Sequence, residues 1–89
     1  MQFTEDQARL IGDEIGIDWN AALFDVDQFR RGLEIELEHG SREPETDVTG
    51  NDSVVTGKIA WAHLREYPDY YDRLEVLERE AKQYWDGRG

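Results

Sequence analysis

Two short strings hold the residue types most able to do chemistry. Glu36-Leu37-Glu38-His39 contains an E-x-x-H spacing, and His63-Leu64-Arg65-Glu66 contains the reversed H-x-x-E. Residues three apart share a helix face, as the carboxylate-bridged dimetal sites of helical bundles require. Glu36, His39, His63 and Glu66 are therefore a candidate metal-ligand set. The set is incomplete, because such sites draw on two E-x-x-H elements plus a Glu from each of two further helices. His39 also points away from the arc of Leu33 and Leu37 on a helical wheel. A proton exchange between His63 and Glu36 is the other chemistry on offer, yet no nucleophile, oxyanion donor or ligand loop accompanies it. The chain is read as noncatalytic, with no cofactor. Asp47-Val48-Thr49-Gly50-Asn51-Asp52 offers oxygens that resemble part of a calcium loop, but the D-x-[DN]-x-[DN]-G order and the closing glutamate are missing.

The elements that must position these groups are helical. Thr4-Glu5-Asp6-Gln7 has the form of a capping box, so a first helix is expected over about residues 5–15, with Ala8, Ile11 and Ile15 on its inner stripe and Gly16 as its stop. Residues 17–24 read as an ordered loop in which Trp19 and Phe24 pack a connecting turn. Asp25 and Gln28 repeat the start signal for a second helix, expected to end at Gly40. Ser41 to Ser53, rich in Pro, Thr, Gly, Asn and Asp, predicts a long polar loop of about 12 residues between helices two and three. A third helix is expected from Asp52 or Ser53 to about Glu66, and Pro68 is placed as the first residue of a fourth that runs to Gly87. In that fourth helix Tyr70, Leu74, Leu77, Ala81 and Tyr84 form a seam able to pack lengthwise on a neighbour. The expected fold is all-α, a compact bundle of about four helices forming a single domain over residues 1–89.

On helix two, Val26, Phe29, Leu33 and Leu37 fall within one arc with Glu36 at its edge. On helix three, Val55, Ile59, Ala60, Leu64 and Tyr67 gather with His63 near the middle. A carboxylate and an imidazole on inward faces cost about 1–3 kcal/mol each if left unpaired. The economical arrangement is a buried polar network of Glu36 and His63 with Glu66 and Tyr70. His39, in a last helical turn, suits the negative end of the helix dipole. Gly32 and Gly57, inside predicted helices, mark close helix approach or, for Gly57, a late start to helix three. Trp61 lies almost opposite His63, flanked by Lys58 and Arg65; it either faces outward as an interface residue or is covered by helix one or the Trp19 loop.

Composition limits the function classes. The 89 residues suffice for one core. Acidic residues outnumber basic ones 21 to 10, and a net charge of −11 repels nucleic-acid phosphates and anionic membranes. With no cysteine there is no disulfide, thiolate metal site or thiol catalysis. No long apolar run offers a membrane span and the charged start shows no secretory signal, so the cytoplasm is the expected compartment. Arginine outnumbers lysine, which occurs only as Lys58 and Lys82; this composition suits a high-GC genome, and the acid excess a salt-rich cytoplasm.

Three stretches carry a family resemblance: Phe24 to Arg30, Gly32 to Gly40 with its E-L-E-H-G string, and Thr56 to Leu64 followed by Pro68-Asp69-Tyr70-Tyr71. Over roughly residues 24–81 the chain resembles the small family called domain of unknown function 5661, met in phages, bacteria and archaea. The resemblance implies that Glu36, Glu38, His39, His63, Asp69, Tyr70 and Tyr71 belong to the family pattern. Trp61 departs from it, since a smaller aliphatic residue is usual there. Related strings appended to larger phage proteins suit an accessory or docking domain. The expected function is a noncatalytic acidic interaction protein that docks a protein partner or self-associates through a surface of Trp61, Tyr71, Glu34 and Glu38. Alternatives are the metal-binding bundle and a DNA-mimic inhibitor, which needs Glu34, Glu38, Glu75 and Glu78 unpaired on one face.

Overall fold

The computed structural model describes residues 2–87, and those residues form four α-helices with no strand among them. α1 spans Glu5–Ile15, α2 Val26–Arg42, α3 Ser53–Glu66 and α4 Tyr70–Asp86. Three starts are set by side-chain caps. Thr4 Oγ1 accepts from Gln7 N at 3.1 Å while Gln7 Oε1 accepts from Thr4 N at 2.9 Å, closing the capping box. Asp25 accepts from Gln28 N, and Asp52 from Val54 N and Val55 N. No described helix is long and apolar enough to cross a membrane.

α2 is the central element and buries Phe29, Gly32, Leu33, Leu37 and Gly40 between α1, α3 and α4. Phe3, Ala8, Ile17, Ala60, Leu64 and Tyr71 complete the core around it. The N-terminal segment is tied to α2 by Phe3 N donating to Glu34 Oε1 at 3.0 Å. The Trp19 loop packs as expected, with its indole edge-on to Phe24 and Phe29 and its N–H on Asp13.

The structure moves three expected boundaries or faces. α2 does not stop at Gly40 but continues to Arg42, and Pro44–Thr46 adds a 3-10 turn, so the expected long polar loop is shortened and partly structured. Gly40 is helical because its missing side chain makes room for a neighbour: a Cβ there would lie 2.7 Å from Thr49 Oγ1, and Thr49 is buried. Asp47 Oδ1 holds this segment in a turn by accepting from Thr49 N and Gly50 N. Pro68 does not begin α4. Tyr67 is extended, Tyr70 N donates to Tyr67 O at 3.0 Å, and Asp69 sits at the cap with its carboxylate on Arg73 rather than on the backbone.

The third change concerns α3, whose buried face is Thr56, Gly57, Ala60 and Leu64, rotated from the apolar arc expected from the sequence. Val55 and Tyr67 are exposed. Small residues win these positions because α3 presses against both α1 and α2; a Cβ on Gly57 would come within 2.9 Å of Ile11 Cγ2. The rotation leaves His63 at the edge of the buried face.

α4 is packed only at its start. Tyr71 is fully buried and Tyr70 and Leu74 half-buried, but from Glu75 to Gly87 every residue is exposed. The helix runs beyond the body formed by the other three, in a molecule measuring 45 × 27 × 21 Å.

Candidate functional site: a polar cluster and a bare helix

Glu36 is the residue at which α2, α3 and α4 meet. The hydroxyl of Tyr71, from α4, donates to Glu36 Oε2 at 2.9 Å. His63 Nε2, from α3, faces the same oxygen at 3.5 Å, a charge-range contact longer than a formed hydrogen bond. The Glu36 side chain is 13% exposed and that of His63 32%. The imidazole stacks on the Tyr70 ring, 4.3 Å between centroids and 9° between planes, and stands edge-on to Tyr71. Burial first, then the charge and hydrogen bond of Glu36, push the Tyr71 phenol far above the usual tyrosine range. Burial followed by the charges of Glu36 and Glu66 raises Tyr70 as well. Both phenols are thereby held neutral, so Tyr71 is a hydrogen-bond donor and not a base.

Of the expected network, Glu36 and His63 come together. Tyr70 does not supply the hydroxyl, and Glu66 is exposed. The partner is Tyr71, whose ring enters a slot left by Gly32: a Cβ on residue 32 would be 2.5 Å from Tyr71 Cε2. Gly32 and Glu36 stand four apart on one face of α2, so a gap for a ring and an acceptor for its hydroxyl lie in line. That spacing was the available signal.

The candidate ligands do not converge. His39 Nε2 faces Glu78 Oε1 of α4 at 3.3 Å, while Glu36 faces Tyr71 and His63. Among the described residues no group of three or more His, Cys, Asp and Glu could hold a metal ion, and the metal-binding alternative has no support.

The expected partner surface is also redrawn. Tyr71 is 0% exposed and cannot belong to it. Glu34 accepts from Phe3 N and from Arg30, a tie within the chain rather than a docking group. Glu38 is exposed, 3.9 Å from Arg42. Trp61 is half-covered; it lines a groove of about 360 Å³ with Ile17, Ala22, Leu23 and Phe24, under the Arg65 guanidinium. Glu75 pairs with Arg31 and Arg79, and Glu78 with His39, so the four acids needed free for DNA mimicry each lie within 4 Å of a basic or imidazole nitrogen.

The seam expected to pack lengthwise on a neighbour is left open over the outer half of α4. Leu77 is 59%, Tyr84 52% and Trp85 68% exposed, with Tyr84 edge-on to Trp85 at 5.1 Å. At 100° per residue Leu77, Ala81, Tyr84 and Trp85 continue the stripe that Tyr70 and Leu74 begin. The seam is real, but beyond Leu74 no residue of the helix is buried.

No curated protein and no solved structure matches the chain. A family model described as protein of unknown function (DUF5661) matches residues 8–80, and the chain belongs to that family.

Proposed function

We propose that this chain is a noncatalytic interaction module, an accessory protein that presents α4 to a protein partner. One observation carries the reading: the apolar stripe of α4 is packed as far as Leu74 and then continues exposed through Leu77, Ala81, Tyr84 and Trp85. Apolar side chains gathered on one face of a projecting helix lose contact with water when a partner covers them, and aromatic anchors contribute most to such contacts. The Glu36–Tyr71–His63 cluster serves this role structurally, by fastening the base of α4 to α2 and α3.

Photocrosslinking in the native cell tests the reading. A benzoylphenylalanine in place of Trp85 or Leu77 is expected to give discrete protein adducts, while the same group at exposed Glu14 on α1 gives none. Equal labelling at all three positions would reject it.

A further inference from the structure

We infer that the groove between the Trp19 loop and α3 binds an acidic peptide segment of a protein partner, taking an apolar side chain into the groove and carboxylates onto Arg65 and Lys58. The site is separate from α4. Ile17, Ala22, Leu23, Phe24 and Trp61 line about 360 Å³, a volume within the range of ligand sites. Leu23, at the rim, is 84% exposed. The Arg65 guanidinium lies over the Trp61 ring, 5.3 Å from its centroid. Stacking holds the planar group against the indole and leaves its N–H edges open to a carboxylate.

Charge selects the occupant. Arg30, Arg31, Arg42, Arg73 and Arg79 each face an acid of their own chain, whereas Lys58 and Arg65, like Arg9 and Lys82, have no ion pair among the described residues. Lys58 and Arg65 share one face of α3, on either side of Trp61. No acid of α3 joins them there, since Glu66 lies about 140° from Trp61 around the helix. Asp18, which also lines the groove, is engaged in its own loop, accepting from Asn20 N at 3.0 Å. An indole between two unengaged cations thus stands out from a chain of net charge −11. That net charge disfavours a nucleic acid, which carries one phosphate charge per about 1.7 Å of duplex and meets repulsion from the surface around the two cations. A peptide with two carboxylates and one large apolar residue satisfies both cations and fills the groove while bringing little further negative charge. Lys58 and Arg65 are ~10 Å apart along the helix axis, about three residues of extended chain, so the fitting pattern is acid-x-x-acid with an aliphatic or aromatic residue between.

Selection from a display library of random dodecapeptides on the intact chain tests this. An acidic protein draws basic peptides to its whole surface, so enrichment of acidic ones requires a local cationic site. The expected winners carry an aliphatic or aromatic residue between acids. Dye-labelled synthetic copies, followed by fluorescence anisotropy, are expected to bind Arg65→Glu about tenfold more weakly and Lys58→Glu several-fold more weakly, because each change replaces attraction by repulsion. Both positions are exposed, so helical circular dichroism should not change. Leu77→Glu, on α4, should bind the peptides as the unchanged chain does, and copies with glutamine for each acid should bind as weakly as Arg65→Glu binds the originals. No enrichment, enrichment of basic or neutral peptides, or binding indifferent to Arg65→Glu overturns the site. Winners that fail on Leu77→Glu and hold on Arg65→Glu belong to α4; they reject the groove and leave the docking reading of that helix standing.

Discussion

The ring of Tyr71 occupies the space that a side chain on residue 32 would take, with Tyr71 Cε2 2.5 Å and Cζ 2.8 Å from where a Gly32 Cβ would stand. Tyr71 is fully buried and its hydroxyl is committed to Glu36, so the ring cannot swing aside without breaking that bond. Gly32→Ala is therefore expected to destabilise the fold by about 1–3 kcal/mol, even though alanine gains up to about 1 kcal/mol of helix propensity. Urea unfolding of Gly32→Ala against the unchanged chain reads this loss, and a stability equal to or above that of the unchanged chain would show that the Tyr71 ring gives way.

The Tyr71–Glu36 bond predicts an order among substitutions. Glu36→Ala removes the acceptor of a buried phenol and should cost about 2–3 kcal/mol, the range for hydrogen bonds to charged groups and stranded donors. Glu36→Gln keeps an acceptor oxygen and should cost less. His63→Phe keeps a ring stacked on Tyr70 and loses only the 3.5 Å contact, so it should be the mildest of the three. Thermal melts and a Tyr71→Phe/Glu36→Ala double cycle measure this, with a coupling of about 0.5–3 kcal/mol expected. Equal losses for Glu36→Ala and His63→Phe would show that the phenol bond carries no weight.

Alkaline pH gives an independent reading of the same bond. The folded state raises Tyr71, chiefly by burial, and raises Tyr70 by the same cause. A group raised by folding contributes fully below its unfolded value of 10.0 and loses that contribution as pH climbs above it, because the unfolded chain releases the proton first. Unfolding free energy should therefore fall above pH 10 with a slope approaching about 1.4 kcal/mol per pH unit per phenol. Tyr71→Phe should flatten most of that slope and Tyr70→Phe part of the remainder, read from denaturant titrations on either side of pH 10.

Local signals in the sequence located the helix starts because capping is local chemistry: Thr4 with Gln7, Asp25 with Gln28, and Asp52 satisfy nearby backbone donors whatever the tertiary fold. Gly40 and Pro68 misled for the opposite reason. Whether a glycine ends a helix or admits a neighbour depends on Thr49, which arrives from another segment. The meeting of Glu36 and His63 followed from helical periodicity, but the choice of Tyr71 over Tyr70 depends on how α4 crosses α2 at Gly32. Periodicity also marked the α4 seam correctly while carrying no information on what covers it.

Acid pH should release α4 at a second fastening. Arg31 Nη1 donates to Asp72 Oδ1, and Gln28 Nε2 to Asp72 Oδ2, which together hold the Asp72 carboxyl below its usual value, the Arg31 bond being the larger cause. A carboxyl lowered by folding contributes above its unfolded value of 3.8 and loses that contribution as pH falls through the folded value. Asp72 is 55% exposed, so screening limits the effect to about 0.2–1 kcal/mol. Asp72→Asn should leave the Tyr71–Glu36 bond intact at pH 7, lower the unfolding free energy by that small amount, and remove part of the acid dependence below pH 3.8. Hydrogen exchange locates the loss: amides near the start of α4 should exchange faster in the variant, with those of α1 unchanged. Faster exchange in α1 as well would mean that Asp72 supports the whole bundle rather than the α2–α4 contact.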